Sequence, residues 1–293
     1  MNPAHFALTA DQEARFQQDG FLFVDHLIDQ PTVEALRASY DRLFRGTFET
    51  GVRPDEVNWQ EGESDPSLTR QICNGWKADR TVAATVLRED LGDAIAKLAG
   101  WSGTRVMIDN VIWKPPGTRP LGFHQDNAYL RWFEPGQLLS CWIALDETTA
   151  EGGTMELVRG SHRWAASEPE GEFHGPEDYQ KPMRQAAAAE GVTPDIVPVV
   201  VPAGGGSFHH GWTWHGSGHN RAVRPRRALV IHAMPAESRY AADPADLSFA
   251  TGPIYTRYKR LADREMDENY FPITWREDGY RTPGLDVYLQ GAA

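Results

Sequence analysis

Cysteine is scarce: Cys73 and Cys141 are the only two, and neither belongs to a CxxC pair or any other ligand spacing. That excludes a disulfide framework and a cysteine-built metal centre, and reduced thiols suit a cytoplasmic protein. Long apolar runs are missing as well. None approaches the roughly 18 residues of a membrane span, and the opening MNPAHFALTADQEARF has neither the basic nor the apolar stretch of a secretion signal. A soluble chain with no membrane partner is expected. Positive charge is also thin. With 29 Lys plus Arg against 41 Asp plus Glu the net charge is -12, and no basic cluster interleaves with aromatics, so nucleic acid is excluded as a partner.

Aromatic residues, by contrast, are plentiful. Ten tryptophans and nine tyrosines in 293 residues exceed what one core requires, which assigns some of them to a pocket or to an aromatic-rich interior. The length suits a single domain able to bury its own core. Thr9 and Gln12 form a capping-box pattern and Gly20 a stop, which predicts a helix over about 10–18. The run Phe21 to Val24 reads as a strand. Pro31 opens a second helix carrying Val33, Leu36, Tyr40, Leu43 and Phe44 at helical spacing, a polar loop runs from Gly46 to Pro66, and a third helix over about 91–99 ends at Gly100.

From residue 104 the texture changes to short apolar runs, Arg105 to Trp113, Leu138 to Leu145, Thr154 to Val158, Val197 to Val201 and Ala228 to Met234, separated by KPPG, EGG and PAGGG. This predicts an antiparallel sandwich or barrel. The expected organisation is a helical part over about 1–103, a β core over about 104–240 and an extension over 241–293. The acidic stretch 165–195, with its helix-prone QAAAAE, interrupts the strands as a lid or a surface excursion.

Within GFHQDNAYLRW, His124 and Asp126 are two residues apart and share one face of a strand. Taken alone, the HxD pair is as readily an ordinary hydrogen-bonded surface pair, and His209, His210, His219 and His232 show how common unligated histidines are. SFHHGWTWHGSGHN offers His215 as a third donor. Two imidazoles and a carboxylate with an open opposite face is the arrangement of non-haem Fe(II) oxygenases, whereas a structural zinc site closes its shell. Eleven residues beyond His215, Arg226 can pair with a carboxylate held beside the metal; Arg227 is the neighbouring alternative, and a solvated strand edge the plain reading of both.

These residues belong to a longer series: LTADQEARFQQDGFLFVDHLI, IWKPPG, GFHQDNAY, CWIALDETTAEGGTMELVRGSH, HGSGHN and RPRRALVIH. In that order they resemble the phytanoyl-CoA dioxygenase family of Fe(II)- and 2-oxoglutarate-dependent oxygenases over nearly the whole chain. The resemblance implies a double-stranded β-helix, or jelly roll, with flanking helices. It implies His124, Asp126 and His215 as iron ligands, Arg226 and Ser217 on the distal carboxylate of 2-oxoglutarate, Trp142 near that cofactor, and O2 as co-substrate. It also implies hydroxylation of a C–H bond with release of succinate and CO2; Asp126 argues against halogenation, because related halogenases carry a small residue there. One departure stands out: Arg159 replaces the proline usual before the Gly-Ser-His turn, which alters a surface turn and leaves the triad intact.

Epoxidation, desaturation, ring closure or demethylation with the same cofactors, and a non-redox cupin-like metal enzyme, are the alternatives. Tyr129, Arg131, Trp132 and Trp76 are candidates to face the substrate, as is Trp212, with the core as the competing place for each aromatic. Arg70, Lys77 and Arg131 are where an anionic substrate would find its partner; Lys114 in the KPPG turn is a further candidate to attract an anionic substrate or the cofactor, with an exposed turn lysine as the default reading. Thin positive charge argues against an acyl-CoA, so a small metabolite is expected. The oligomeric state is not encoded legibly.

Overall fold

The structure, a computed structural model, describes residues 6–169 and 172–289, so the outermost residues of the expected N-terminal part and C-terminal extension, and residues 170 and 171 of the 165–195 stretch, lie outside it. Helix α1 (Ala10–Asp19) opens on a closed capping box between Thr9 and Gln12 and ends at Gly20, whose φ of 80° costs a glycine little. Helix α2 (Gln30–Phe44) is capped by Asp29, carries proline in its first turn and buries Val33, Leu36, Tyr40, Leu43 and Phe44 along one stripe. Helix α3 (Arg80–Val86), capped by Asp79, has no counterpart in the sequence expectation; α4 (Glu89–Ala99) ends at Gly100 as read.

Fourteen strands follow one another among the described residues: β1 (Phe21–Val24), β2 (Glu56–Val57), β3 (Arg70–Cys73), β4 (Gly103–Lys114), β5 (Leu121–His124), β6 (Phe133–Glu134), β7 (Leu139–Ala144), β8 (Met155–Val158), β9 (Ile196–Pro198), β10 (Gly206–His210), β11 (His215–Ser217), β12 (Arg226–Pro235), β13 (Arg239–Tyr240) and β14 (Ile273–Arg276). The large antiparallel sheet runs β1-β10-β7-β12-β4-β3-β2, with β14 also paired to β4, and a smaller sheet runs β5-β11-β8-β9. Together they form the double-stranded β-helix. The first third of the chain is therefore not only helical: it supplies β1, β2 and β3, and the polar loop between Gly46 and Pro66 contains β2.

Side-chain alternation sorts the large sheet into two faces. Leu229 and Ile231 of β12, Leu139, Cys141 and Ile143 of β7, Val111 of β4 and Phe208 of β10 pack against the helices. Their neighbours Ala228, Val230, Trp142 and Ala144 point inward and meet Met155 and Leu157 of β8. Strand β12 is thus covered on both sides, which is why its sequence ALVIHAM reads as a continuous apolar run. The Tyr40 hydroxyl donates to the Ala228 carbonyl at 2.6 Å, fastening α2 to that central strand.

The C-terminal segment is tied in by the pairing of β14 with β4 and by one buried arginine. Buried Arg105 donates to the carbonyls of Ala236 (3.0 and 3.2 Å), Met266 and Phe271 (3.1 Å each). No helix among the described residues is long and apolar enough to cross a membrane.

Candidate active site

Strand β5 ends on His124, Gln125 continues in extended geometry, and Asp126 begins a short 3-10 turn over Asp126–Tyr129. Asp126 is thus carried just past the strand and still points as His124 does. Strand β11 lies antiparallel to β5 with His215 directly opposite His124. The His124 and His215 Nε2 atoms sit 3.3 and 3.6 Å from Asp126 Oδ1, and one ligand atom from each residue lies within 4.8 Å of the others. Each imidazole is pinned through its other nitrogen: His124 Nδ1 faces the Gly122 carbonyl and His215 Nδ1 the Thr213 carbonyl, both at 2.9 Å. A carbonyl only accepts, so both protons reside on Nδ1 and both Nε2 lone pairs point at the shared space. Two neutral imidazoles and a carboxylate on one side form a donor set that fits a divalent iron with its opposite face open.

Asp126 is held ionised. Burial opposes its charge, but His215, His232, His124 and His209 around it keep its carboxyl well below the usual carboxylate range. Its second oxygen accepts from Ser140 Oγ at 3.0 Å and lies 3.5 Å from His209 Nε2. Ser140 Oγ is 2.7 Å from His232 Nδ1, and His232 Nε2 is 2.9 Å from Asn110 Nδ2. Because the Asn110 amide nitrogen can only donate, the proton of His232 sits on Nδ1 and the chain runs in one direction, from Asn110 through His232 and Ser140 to Asp126.

Arg226, at the start of β12, is buried and lies with its guanidinium 5.7 Å from the Trp142 ring. It donates to the Gly153 carbonyl and to no carboxylate among the described residues. Gly153 has φ 63°, and a Cβ there would come within 2.8 Å of the Gly218 and His219 carbonyls, so the second glycine of EGG is required by both backbone and space. Burial lowers the Arg226 pKa to about 10. Lys114 stands opposite Arg226 in the β4–β12 register, fully buried, and donates to Ser217 Oγ at 3.0 Å and to the Gly218 carbonyl. Burial, with Arg226 beside it, pushes its ammonium well below the ordinary lysine range. The exposed-turn expectation for Lys114 is therefore corrected: β4 runs one residue into KPPG and turns this side chain inward. Arg227 faces the other way and forms a two-bond pair with Asp146 at 2.8 and 3.0 Å.

These groups open onto a cavity of about 370 Å³. Tyr129, Trp142, Ser217 and Arg226 line it together with the triad. Three expected substrate residues do not. Trp132 is wholly buried against Phe133, Tyr240 and Tyr255, Trp76 is in the helix-side core against Tyr288, and Arg131 lies at the surface paired with Glu168. Trp212 is likewise outside the lining, as are the expected anion partners: Arg70 is sandwiched between Trp59 and Trp113, 3.9 and 4.8 Å from the rings, and Lys77 pairs with Asp55 at 2.8 Å. The stretch after residue 165 forms part of the wall. Phe173 packs edge-on to His124 at 4.9 Å and lines the cavity beside His174, while α5 (Lys181–Ala189) carries the alanine run and ends at its C-cap Glu190. Arg159 sits at the surface, paired with Asp19 and Asp195 and remote from the cavity lining. Ser140 and Asn110 escaped sequence reasoning, and His209 and His232 entered it only as unligated histidines, although His232 shares the Arg226 face by its even spacing along β12.

The sequence pattern of the phytanoyl-CoA dioxygenase family matches residues 16–228. Dioxygenase cdmD of Talaromyces verruculosus is 22% identical over 95% of this chain and 94% of its own, and peroxisomal phytanoyl-CoA dioxygenase of Homo sapiens is 22% identical over 80% and 70%. Among solved structures, the epimerase SnoN of nogalamycin biosynthesis, in complex with Fe3+, alpha-ketoglutarate and nogalamycin RO, superposes with a TM-score of 0.67 at 22% identity, covering 90% of this chain and 97% of that one.

Proposed function

The chain belongs to the phytanoyl-CoA dioxygenase family, and from that premise we propose that it is an Fe(II)- and 2-oxoglutarate-dependent oxygenase acting as one domain, hydroxylating a C–H bond of a small molecule, with His124, Asp126 and His215 as the iron ligands. The carrying observation is the convergence of two Nε2 atoms and Oδ1 of Asp126 on one space, with a buried arginine that has no carboxylate partner among the described residues opening onto the same cavity. When bound, iron and 2-oxoglutarate supply the oxidising chemistry, consuming O2 and releasing succinate and CO2.

The residues do the rest. The Gly122 and Thr213 carbonyls hold the two imidazoles in the Nδ1–H tautomer, whose Nε2 lone pair faces the shared space, and Ser140 fixes the second oxygen of Asp126 so that the first stays aimed at that space. Arg226 receives the distal carboxylate of 2-oxoglutarate as a charge-assisted pair, Ser217 supplies a hydroxyl, and Lys114 a second positive group behind it. A carboxylate arriving there returns to Arg226 and Lys114 part of the stabilisation that burial removes. Trp142 and Met155 exclude water around that end.

Anaerobic addition of 2-oxoglutarate to the Fe(II)-loaded protein tests this. A weak visible charge-transfer band that saturates with 2-oxoglutarate is expected; iron demonstrably bound without any such band would sink the proposal and favour a non-redox metal enzyme.

A further inference from the structure

The cavity has two unlike ends. In the register of the large sheet Arg226 stands opposite Lys114, and Val230, four residues along β12, stands opposite Asn110, so the two ends are separated by roughly 13 Å at about 3.3 Å per strand residue. At the far end Glu56 of β2 stands level with Asn110 of β4 across Cys73 of β3, while Gln71, with Asn58 beside it, lines the middle and Thr69, just before β3, comes back toward the level of Lys114. Among the described residues no lysine or arginine other than Arg226 lines it. Arg70 is held between two tryptophans and Lys77 by Asp55.

Two of these polar groups await a partner. Thr69 Oγ1 and Asn110 Oδ1 are buried without a hydrogen bond, which is costly unless a ligand completes them. The Asn110 amide cannot turn over, because its nitrogen is committed to His232 Nε2 at 2.9 Å; what it offers is an acceptor. Glu56 offers another, its Oε1 accepting from the Tyr255 hydroxyl at 2.8 Å. Around them Ile108, Ile112, Leu121, Leu130 and Phe173 make an apolar wall.

Building on the oxygenase reading, we infer that the substrate is an apolar molecule without carboxylate or phosphate that donates hydrogen bonds, through a hydroxyl or an amine, to Asn110 Oδ1 and Glu56. An anionic substrate would bury its charge beside a carboxylate and away from any cation lining the cavity among the described residues, leaving an ion desolvated and unpaired. Donation to Asn110 also engages the head of the chain that ends on Asp126, so the recognised donor and the metal ligand share one hydrogen-bond network.

Three probes of equal size decide it: 2-naphthylmethanol, 2-naphthylmethylamine and 2-naphthoate, titrated anaerobically into protein loaded with Fe(II) and 2-oxoglutarate, with tryptophan fluorescence as the readout. The alcohol and the amine are expected to saturate with Kd values at least tenfold below that of the naphthoate. Asn110→Leu should weaken both donors about tenfold, and Glu56→Gln, which keeps shape and removes charge, should weaken the amine more than the alcohol. Naphthoate binding as tightly as the donors, or no saturable binding by either donor, overturns the inference. The 2-oxoglutarate titration on the same samples separates the two readings: normal cofactor binding with a failed probe series sinks only the substrate class, and absent cofactor binding sinks the oxygenase reading.

Discussion

Toward the helices, β12 presents Arg227, Leu229 and Ile231; toward the cavity it presents Arg226, Val230 and His232. On the helix side the one cation is neutralised by Asp146 and the rest is aliphatic core. On the cavity side the cation has no carboxylate partner among the described residues and the histidine is bonded into the network around Asp126. A register slip of one residue would exchange the two sets. The comparison teaches that fold and chemistry are written in the same strands at alternate positions, so substitutions one residue apart should fail by different routes.

The largest expected effect is at the triad. His215→Ala or Asp126→Ala should abolish succinate formation while the melting temperature in the absence of metal changes by only a few degrees, because the apolar faces that hold the sheets are untouched. Loss of the fold in every triad variant, seen by circular dichroism, would break the separation between the two faces.

Next come the neighbouring arginines. Hydrogen bonds to charged groups contribute about 1.5–3 kcal/mol each, so Arg226→Ala should raise the Kd for 2-oxoglutarate by roughly 10- to 150-fold with iron affinity retained. Arg227→Ala should leave that Kd unchanged and lower the melting temperature by about 2–4 °C for each kcal/mol lost, since Asp146 keeps Arg37 at 3.1 Å. The reverse outcome would show that the faces are assigned the wrong way round.

The smallest effect concerns an acid on the sealed face. Asp109 on β4 is completely buried and accepts from the Trp76 and Gly75 backbone N–H groups at 3.0 and 3.1 Å. Burial outweighs those bonds and pushes its pKa up to about 7. The folded value lies above the ordinary 3.8, so between about pH 4 and pH 7 the folded chain keeps a proton that the unfolded chain has released. The stability this proton contributes is present below that window and is lost as pH rises through it. Relative to the parent, Asp109→Asn should therefore gain melting temperature on going from pH 5 to pH 8; a difference that stays flat with pH would show that Asp109 does not titrate there.

The sequence showed most where chemistry and chain punctuation coincide. Thr9, Gly20, Pro31 and Gly100 mark helix ends through local backbone physics, and the structure has helices ending there. His124, Asp126, His215 and Arg226 stand in short motifs whose spacing survives without knowledge of the sheet. What stayed hidden depends on distant pairing. The inward turn of Lys114 follows from its register with Arg226, and the burial of Trp132 follows from contact with Tyr255, more than a hundred residues later. An aromatic residue announces that it wants burial; it does not announce whether a cavity or a core provides it.

Strand β1 pairs with β10, Phe21 opposite His209, and β14 near the other end of the chain pairs with β4. The sheet that carries Arg226 and Asn110 is thus closed by contacts between segments far apart in sequence. Such pairings must meet the entropy of closing long loops before any ladder rewards them. During synthesis β1 waits, partnerless, for β10 to emerge, and the cavity, with Thr251 and Tyr255 in its wall, is among the last features the polypeptide acquires.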